Sequence, residues 1–251
     1  MKILISNDDG YQAEGLIALA AQLGKIAEVT VVAPSSNRSC ASSALTVRQR
    51  ITVKKADNGM LYVDGTPGDC VHLAINGMLG FEPDMVVSGI NEGSNLGDDV
   101  IYSGTVAAAI EGRFLGLPAI AVSLVGESLQ YYDTAARVAC ELVKTLEHTP
   151  LQRDTILNVN VPDVPWDQLA GIEATRCGAR HQSQPIIPLG AGDNCDFFQI
   201  GPAGNEADAG PGTDFHAVAN NKVSVTPLQI DMTRYSRMAE IARWISAVEL
   251  S

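Results

Sequence analysis

The sequence predicts an α/β fold: a mostly parallel, Rossmann-like sheet with flanking helices, a β-ribbon beside it and a loop-rich carboxyl-terminal arm. Short apolar runs alternate with segments of helical periodicity through the first 160 residues, which is how strands joined by crossover helices read. Two of those runs stop abruptly on polar, glycine-rich turns, one on Asn7-Asp8-Asp9-Gly10 and another on the stretch from Gly89 to Asp99. Beyond about residue 162 the alternation gives way to Gly, Asn, Asp and Pro. We therefore expect one domain over 1–251, with 1–162 as its core and 163–251 as an arm.

Taken in order, residues 2–6 form the first strand, and a helix follows over 14–23, with Leu16, Ile17, Leu19, Ala20 and Leu23 at helical spacing. The second strand covers 28–33 and ends at Pro34, before a polar loop over 35–43. Residues 44–56 and 60–63 flank Asp57-Asn58-Gly59 and read as a β-ribbon, since Asn-Gly is a hairpin signal. Thr66-Pro67 supplies an N-cap and an N1 proline for a helix reaching about residue 79. A buried strand over 84–88, a helix over 106–115, a strand over 118–125, a helix over 132–147 and a strand over 155–161 complete the alternation. In the arm, residues 176–221 read either as a flexible loop or as a segment ordered against another subunit. A strand over 223–228 and an amphipathic helix over 234–248 close the chain.

Composition narrows the function classes. With 46% hydrophobic and 18% charged residues the chain has the make-up of a soluble globular protein, and no apolar run approaches the roughly 18 residues that cross a bilayer. Lys2 is followed by a strand-like run and then acids, not by a cleavage-type leader, so a cytoplasmic location is expected. The five cysteines are odd in number and include no Cys-x-x-Cys, which suggests neither a disulfide framework nor a zinc-thiolate site. A net charge of −12 argues against a nucleic-acid polymer as partner. A small phosphate ester needs only local positive potential, from a cation or a helix amino terminus.

Asp8 and Asp9 stand at the carboxyl end of the first strand, where open α/β sheets bind ligands. Adjacent carboxylates repel, so they either splay into water as a turn or share a cation. Two further clusters follow strands that are candidates for sheet neighbours: Asn37-Arg38-Ser39, and Asn91 with Asn95. Singly, Ser39 and Asn91 read as loop hydrogen-bonding residues. Together with the Asp pair they make an oxygen-only donor set, which selects a hard cation such as Mg²⁺ or Mn²⁺. Ser103-Gly104-Thr105 opens a helix, where unpaired N–H groups and the dipole favour an anion; the alternative is a plain Ser N-cap. P-loop, dinucleotide and nucleophile-elbow fingerprints are all missing, and the acids are adjacent rather than spaced Asp-x-Asp. His72 and His148 read as helix residues, while His181 and His216 fall in the loop-rich region.

Longer motifs run in order along the chain: Ser6-Asn7-Asp8-Asp9-Gly10, Ala33-Pro34 with Asn37-Arg38-Ser39, Gly65-Thr66-Pro67 with Asp69-Cys70-Val71, and Val87-Ser88-Gly89-Ile90-Asn91 through Asn95-Leu96-Gly97-Asp98-Asp99. Tyr102 through Ala109 and Asp208 through Asp214 extend the set. On these motifs, and over essentially its whole length, the chain resembles the SurE family of metal-dependent nucleoside-monophosphate phosphatases. Cys40 and Glu14 depart from it, at positions where glycine and proline are common, without removing a ligand. The resemblance implies one divalent metal per subunit held by Asp8, Asp9, Ser39 and Asn91, with the Asp pair central to catalysis. It also implies a phosphate site lined by Asn95, Ser103, Gly104 and Thr105. The implied activity is hydrolysis of 5′- and 3′-nucleoside monophosphates, in some members also of short polyphosphate. The implied assembly is a cytoplasmic homodimer or homotetramer that exchanges its carboxyl-terminal arm. The competing reading is a nucleotide-sensing or scaffold protein that binds in the same crevice without hydrolysis.

Overall fold

A computed structural model describes residues 1–149 and 151–248. In chain order its elements are β1 (Lys2–Ser6), α1 (Glu14–Leu23), β2 (Glu28–Pro34), β3 (Val53–Lys55), β4 (Leu61–Val63), α2 (Pro67–Leu73), β5 (Met85–Glu92), α3 (Gly104–Glu111), β6 (Ala119–Val125) and α4 (Tyr132–His148). The carboxyl-terminal third adds β7 (Ile156–Pro162), β8 (Ile172–Ala174), β9 (Ala179–Arg180), β10 (Ile187–Gly192), β11 (Cys195–Gln199), β12 (Glu206–Asp208), α5 (Asp214–Ala219), β13 (Val223–Leu228) and α6 (Met238–Ile245).

Nine strands form one sheet in the order β3-β4-β2-β1-β5-β6-β7-β13-β8. The run from β4 to β7 is parallel; β3 pairs antiparallel with β4, and β13 antiparallel with β7. The central strands read as continuous apolar runs because both faces are covered. Ile3, Ile5, Met85, Val87, Ile120 and Val122 pack with Leu16, Leu19 and Leu23 of α1 and with Ala139 and Val143 of α4. On the opposite face Leu4, Val86, Ala121 and Ile156 pack with Cys70 and Val71 of α2 and Val106 and Ala109 of α3. The chain runs from β1 outward to β2 on one side and returns to β5 on the other, so the topological switch lies between β1 and β5. Asp8 and Asn91 stand there.

The expected α/β class is what the chain adopts, with several local differences. Of the strand expected over 44–56 only Val53–Lys55 pairs, because the Thr46 N–H and hydroxyl are both donated to the Asp69 carboxylate (2.7 and 2.7 Å) and not to a ladder. The β3–β4 ribbon is the edge of the main sheet itself, joined through β4 to β2. The helix expected to residue 79 is regular only to Leu73, then unwinds through a wider turn, Ala74–Met78, where Gly77 takes φ +111°. The glycine-rich 176–221 stretch contains four short strands and α5, and the sheet continues past residue 162 through β13 and β8. The last helix begins as a 3₁₀ turn, Tyr235–Arg237, and then runs through α6, leaving the side chains of Met238, Ile241, Trp244, Ile245 and Val248 exposed.

Asp69 anchors the amino end of α2 in a capping box: its carboxylate accepts from Thr66 N–H (2.9 Å) while Thr66 Oγ1 accepts from Asp69 N–H (3.1 Å). Burial raises its pKa, but the Thr46 N–H, the Thr46 hydroxyl and the Thr66 N–H outweigh burial and hold it below the ordinary 3.8. Its contribution to stability is therefore full above the unfolded-state pKa and is lost as the pH falls through the lowered value. Asp69→Ala should lower stability by about 3 kcal/mol, from the lost cap and charged hydrogen bonds. Urea unfolding at neutral pH, where the midpoint should drop with unchanged slope, checks this; an unshifted midpoint refutes it.

Candidate functional site

The crevice is built from the turn after β1. Asn7 folds it, accepting Gly10 N–H (3.2 Å) and donating to the Gly10 carbonyl (3.0 Å), so the Asn-Asp-Asp-Gly segment is indeed a turn. Gly10 takes φ +105°, and a Cβ there would stand 3.2 Å from the Ser36 carbonyl carbon. That close approach seats the Asn37–Ser39 loop against the turn, fastened by Arg38 N–H donating to the Asp8 carbonyl (2.7 Å).

Asp8 is only 3% exposed. Burial raises its pKa, against the Thr105 hydroxyl and the backbone N–H groups of Gly104 and Thr105, which favour the carboxylate. The start of α3 thus faces Asp8 directly. A Cβ on Gly104 would lie 2.7 Å from Asp8 Cβ, so only glycine permits the helix to come this close. Asp9 is pushed up to about 7, first by burial and then by the Asp8 charge; Glu92 N–H donates to its Oδ2 (3.2 Å).

Asn91 arrives from β5 across an irregularity between Ser88 and Asn91 in its pairing with β6. Its amide nitrogen donates to the Gly93 carbonyl (2.8 Å), which turns Oδ1 toward Thr105 Oγ1 (3.1 Å). Thr105 donates to Asp8 Oδ1 as well. A hydroxyl has one hydrogen, so it cannot serve both acceptors. The site is thus rich in buried oxygen acceptors and short of donors, which is the chemistry a hard cation satisfies. The donor set fits such a cation.

Ser39 comes to the site with its loop and not through a side-chain contact to the Asp pair. Its hydroxyl donates to Asn37 Oδ1 (2.7 Å), which leaves oxygen lone pairs free to bind a cation. Ser103 is the N-cap of α3, its Oγ accepting Val106 N–H (3.1 Å). Asn95 is 6% exposed and is held on several sides: its N–H by Asn160 Oδ1 (2.9 Å), its carbonyl by the side-chain amides of Asn158 (2.8 Å) and Asn160 (3.0 Å), its Nδ2 by Ser123 Oγ (2.7 Å). Two residues downstream, Gly97 N–H donates to Asp214 Oδ2 (2.7 Å), while Asp214 Oδ1 accepts Gly178 N–H (2.8 Å).

Of the residues expected from sequence, Asp8, Thr105 and Asn91 meet directly with Asp9 beside Asp8, whereas Ser39 makes no side-chain contact to the pair and Asn95 bonds to Ser123, Asn158 and Asn160. Reasoning from sequence gave no role to Ser123, Asn158, Asn160 or Asp214. The Asn-x-Asn spacing inside an apolar strand was a usable signal, since period two puts both amides on one face. Asp214 offered no local signal, because its partners lie 36 and 117 residues away.

A family model described as Survival protein SurE matches residues 3–184. The chain is 59% identical over 245 residues to a protein from Methylococcus capsulatus named 5′-nucleotidase SurE, spanning 98% of each chain. It is 56% identical over 251 residues to the 5′-nucleotidase SurE of Nitrosococcus oceani, spanning 100% of each. The crystal structure of a SurE protein from Aquifex aeolicus matches with a TM-score of 0.86 and 40% identity, covering 97% of this chain and 99% of that one.

Gly104→Ala should displace the Asp8 carboxylate and reduce turnover at least ~10-fold, with α3 itself retained because alanine is the better helix former. Circular dichroism together with steady-state kinetics tests this, and full activity in the variant would refute the close packing. Because Asp9 is held above the ordinary 3.8, its stabilising share in metal-free protein is complete at low pH and is lost as pH rises through about 7. In chelator, the melting-temperature advantage of Asp9→Asn over the parent should therefore grow between about pH 5 and about pH 8. A flat difference contradicts the desolvated carboxylate.

Proposed function

Since this chain belongs to the SurE family, we propose that it is a divalent-metal-dependent phosphatase that hydrolyses nucleoside 5′-monophosphates to nucleoside and phosphate. The observation that carries the reading is the buried Asp8 and the adjacent, partly buried Asp9 at the β1–β5 switch point, facing the Asn91 amide oxygen and the start of α3. Relatives over 50% identical along nearly the full chain bear the name 5′-nucleotidase. By the same reading, 3′-monophosphates and short polyphosphate are further substrates.

Asp8, Asp9, Ser39 and Asn91 would hold one Mg²⁺ or Mn²⁺ per subunit. When bound, the cation supplies charge neutralisation, Lewis acidity and a lowered pKa for coordinated water. Two carboxylates at the mouth of the crevice repel a phosphate dianion, so substrate binding depends on their neutralisation. Thr105 fixes the Asp8 rotamer through its hydroxyl, and the Gly104 and Thr105 N–H groups hold negative charge at the helix start. Ser103 keeps that helix end intact as its cap. Asn95, with Ser103, Gly104 and Thr105, would line the phosphate.

The arm is read as an assembly element that makes a cytoplasmic homodimer or homotetramer. Supporting this, Phe197, Phe198, Leu189 and Ile187 of the β10–β11 hairpin and the apolar side of α6 are exposed on a single chain, an arrangement that marks interaction surfaces. Among the described residues no helix is long and apolar enough to cross a membrane.

Purified protein with Mn²⁺ or Mg²⁺ should release phosphate from a panel of nucleoside monophosphates and lose that activity with chelator. Asp8→Asn and Asp9→Asn should each reduce turnover by orders of magnitude. Near-parental turnover in Asp9→Asn sinks the metal assignment, and nucleotide binding without release favours the sensor.

A further inference from the structure

Strand β7 is buried along its whole length, yet two of its residues are amides. Asn158 and Asn160 are both 0% exposed, between Leu157, Val159 and Val161. A strand covered on both faces has no need of amides, and a buried polar group that lacks a partner is destabilising. Asn158 Oδ1 is in that position, with no hydrogen-bond partner among the described residues. The neighbouring hydroxyls do not relieve it: Ser224 and Thr226, opposite Asn160 and Asn158 in the register of β13, both bond Thr175 at 2.7 Å.

What the two amides hold is one residue of another segment. Asn160 accepts the Asn95 N–H, and both amides donate to the Asn95 carbonyl. Ser123, which stands opposite Asn160 in the β6–β7 register, takes the Asn95 side chain. Main chain and side chain of Asn95 are thereby fixed from the floor of the sheet, two residues before Gly97 is gripped by Asp214.

We propose that Asn158 and Asn160 are positioning residues for phosphoryl transfer, holding Asn95 and the 93–97 loop where the phosphate binds. The inference rests on the phosphatase reading above. It explains why amides occupy positions where apolar side chains would suit the core, since rule-breaking of this kind concentrates at functional sites.

The test uses full-length Asn158→Val and Asn160→Val proteins beside the parent, measuring kcat and KM for a nucleoside 5′-monophosphate, inhibition by inorganic phosphate, Mn²⁺ affinity by calorimetry, and Tm. Asn160→Val should raise KM and the phosphate inhibition constant about 10-fold while leaving Mn²⁺ affinity within about twofold. Asn158→Val, which removes one of two donors, should show a smaller rise with Tm unchanged or higher. Asn160→Asp keeps the acceptor for Asn95 N–H and should recover part of the loss. Unchanged KM and phosphate inhibition in Asn160→Val overturns the proposal. So does a fall in Mn²⁺ affinity matching the fall in phosphate affinity, which marks collapse of the whole site. Should Asn160→Val not fold, Asn158→Val and Asn160→Asp decide by the same readouts. A parent that releases no phosphate defeats the phosphatase reading instead, and direct phosphate titration of parent and variants then still decides the positioning role.

Discussion

A carboxylate almost closed off from water has to be compensated by its surroundings, and the architecture around Asp8 is organised by that need. Desolvation favours protonation, and the opposing contributions come from the Thr105 hydroxyl and from the first N–H groups of α3. Those donors reach Asp8 only because residue 104 has no side chain. The helix that carries these donors packs on β5 and β6, with Val106, Ala108 and Ala109 buried against the sheet.

The same need explains why the crevice is assembled from distant segments. Carboxylates from β1, an amide oxygen from β5 and a hydroxyl from the start of α3 face one another. Acceptors outnumber hydrogens there, so the protein alone does not balance the site. Each loop that contributes is tied down through its main chain: Arg38 to the Asp8 carbonyl, Asn95 to β7 and Gly97 to Asp214. Such anchorage puts the functional groups on fixed supports, as preorganisation requires.

Most of the fold was legible because its strands are buried on both faces and its helices are amphipathic, which leaves clear runs and periods. The first strand, first helix and last strand fall on the residues expected, 2–6, 14–23 and 223–228. The expected strand over 44–56 misled because apolar and polar residues alternate there, while Asp69 captures the Thr46 N–H that a ladder would use. In the arm the turn-rich composition hides short strands, which pair as β10 with β11 and β9 with β12. At the site, the two carboxylates and Asn91 were legible from strand ends alone. Asn158 and Asn160 carry a local signal in their spacing, but what they hold, like what Ser123 and Asp214 hold, depends on contacts to Asn95 and Gly97 that the pattern does not encode.

The grip of Asp214 on Gly97 and Gly178 also bears on the order in which the molecule can be completed. The bond to Gly97 closes a loop of 117 residues, and closing so long a loop carries an entropy penalty that only late, cooperative contacts repay. A nascent chain that has emerged as far as β7 already holds both aspartates, Asn91, Asn95 and the amides beneath it. The 97 turn remains untied until α5 has been translated, so the crevice acquires its final shape only after more than four-fifths of the polypeptide exists.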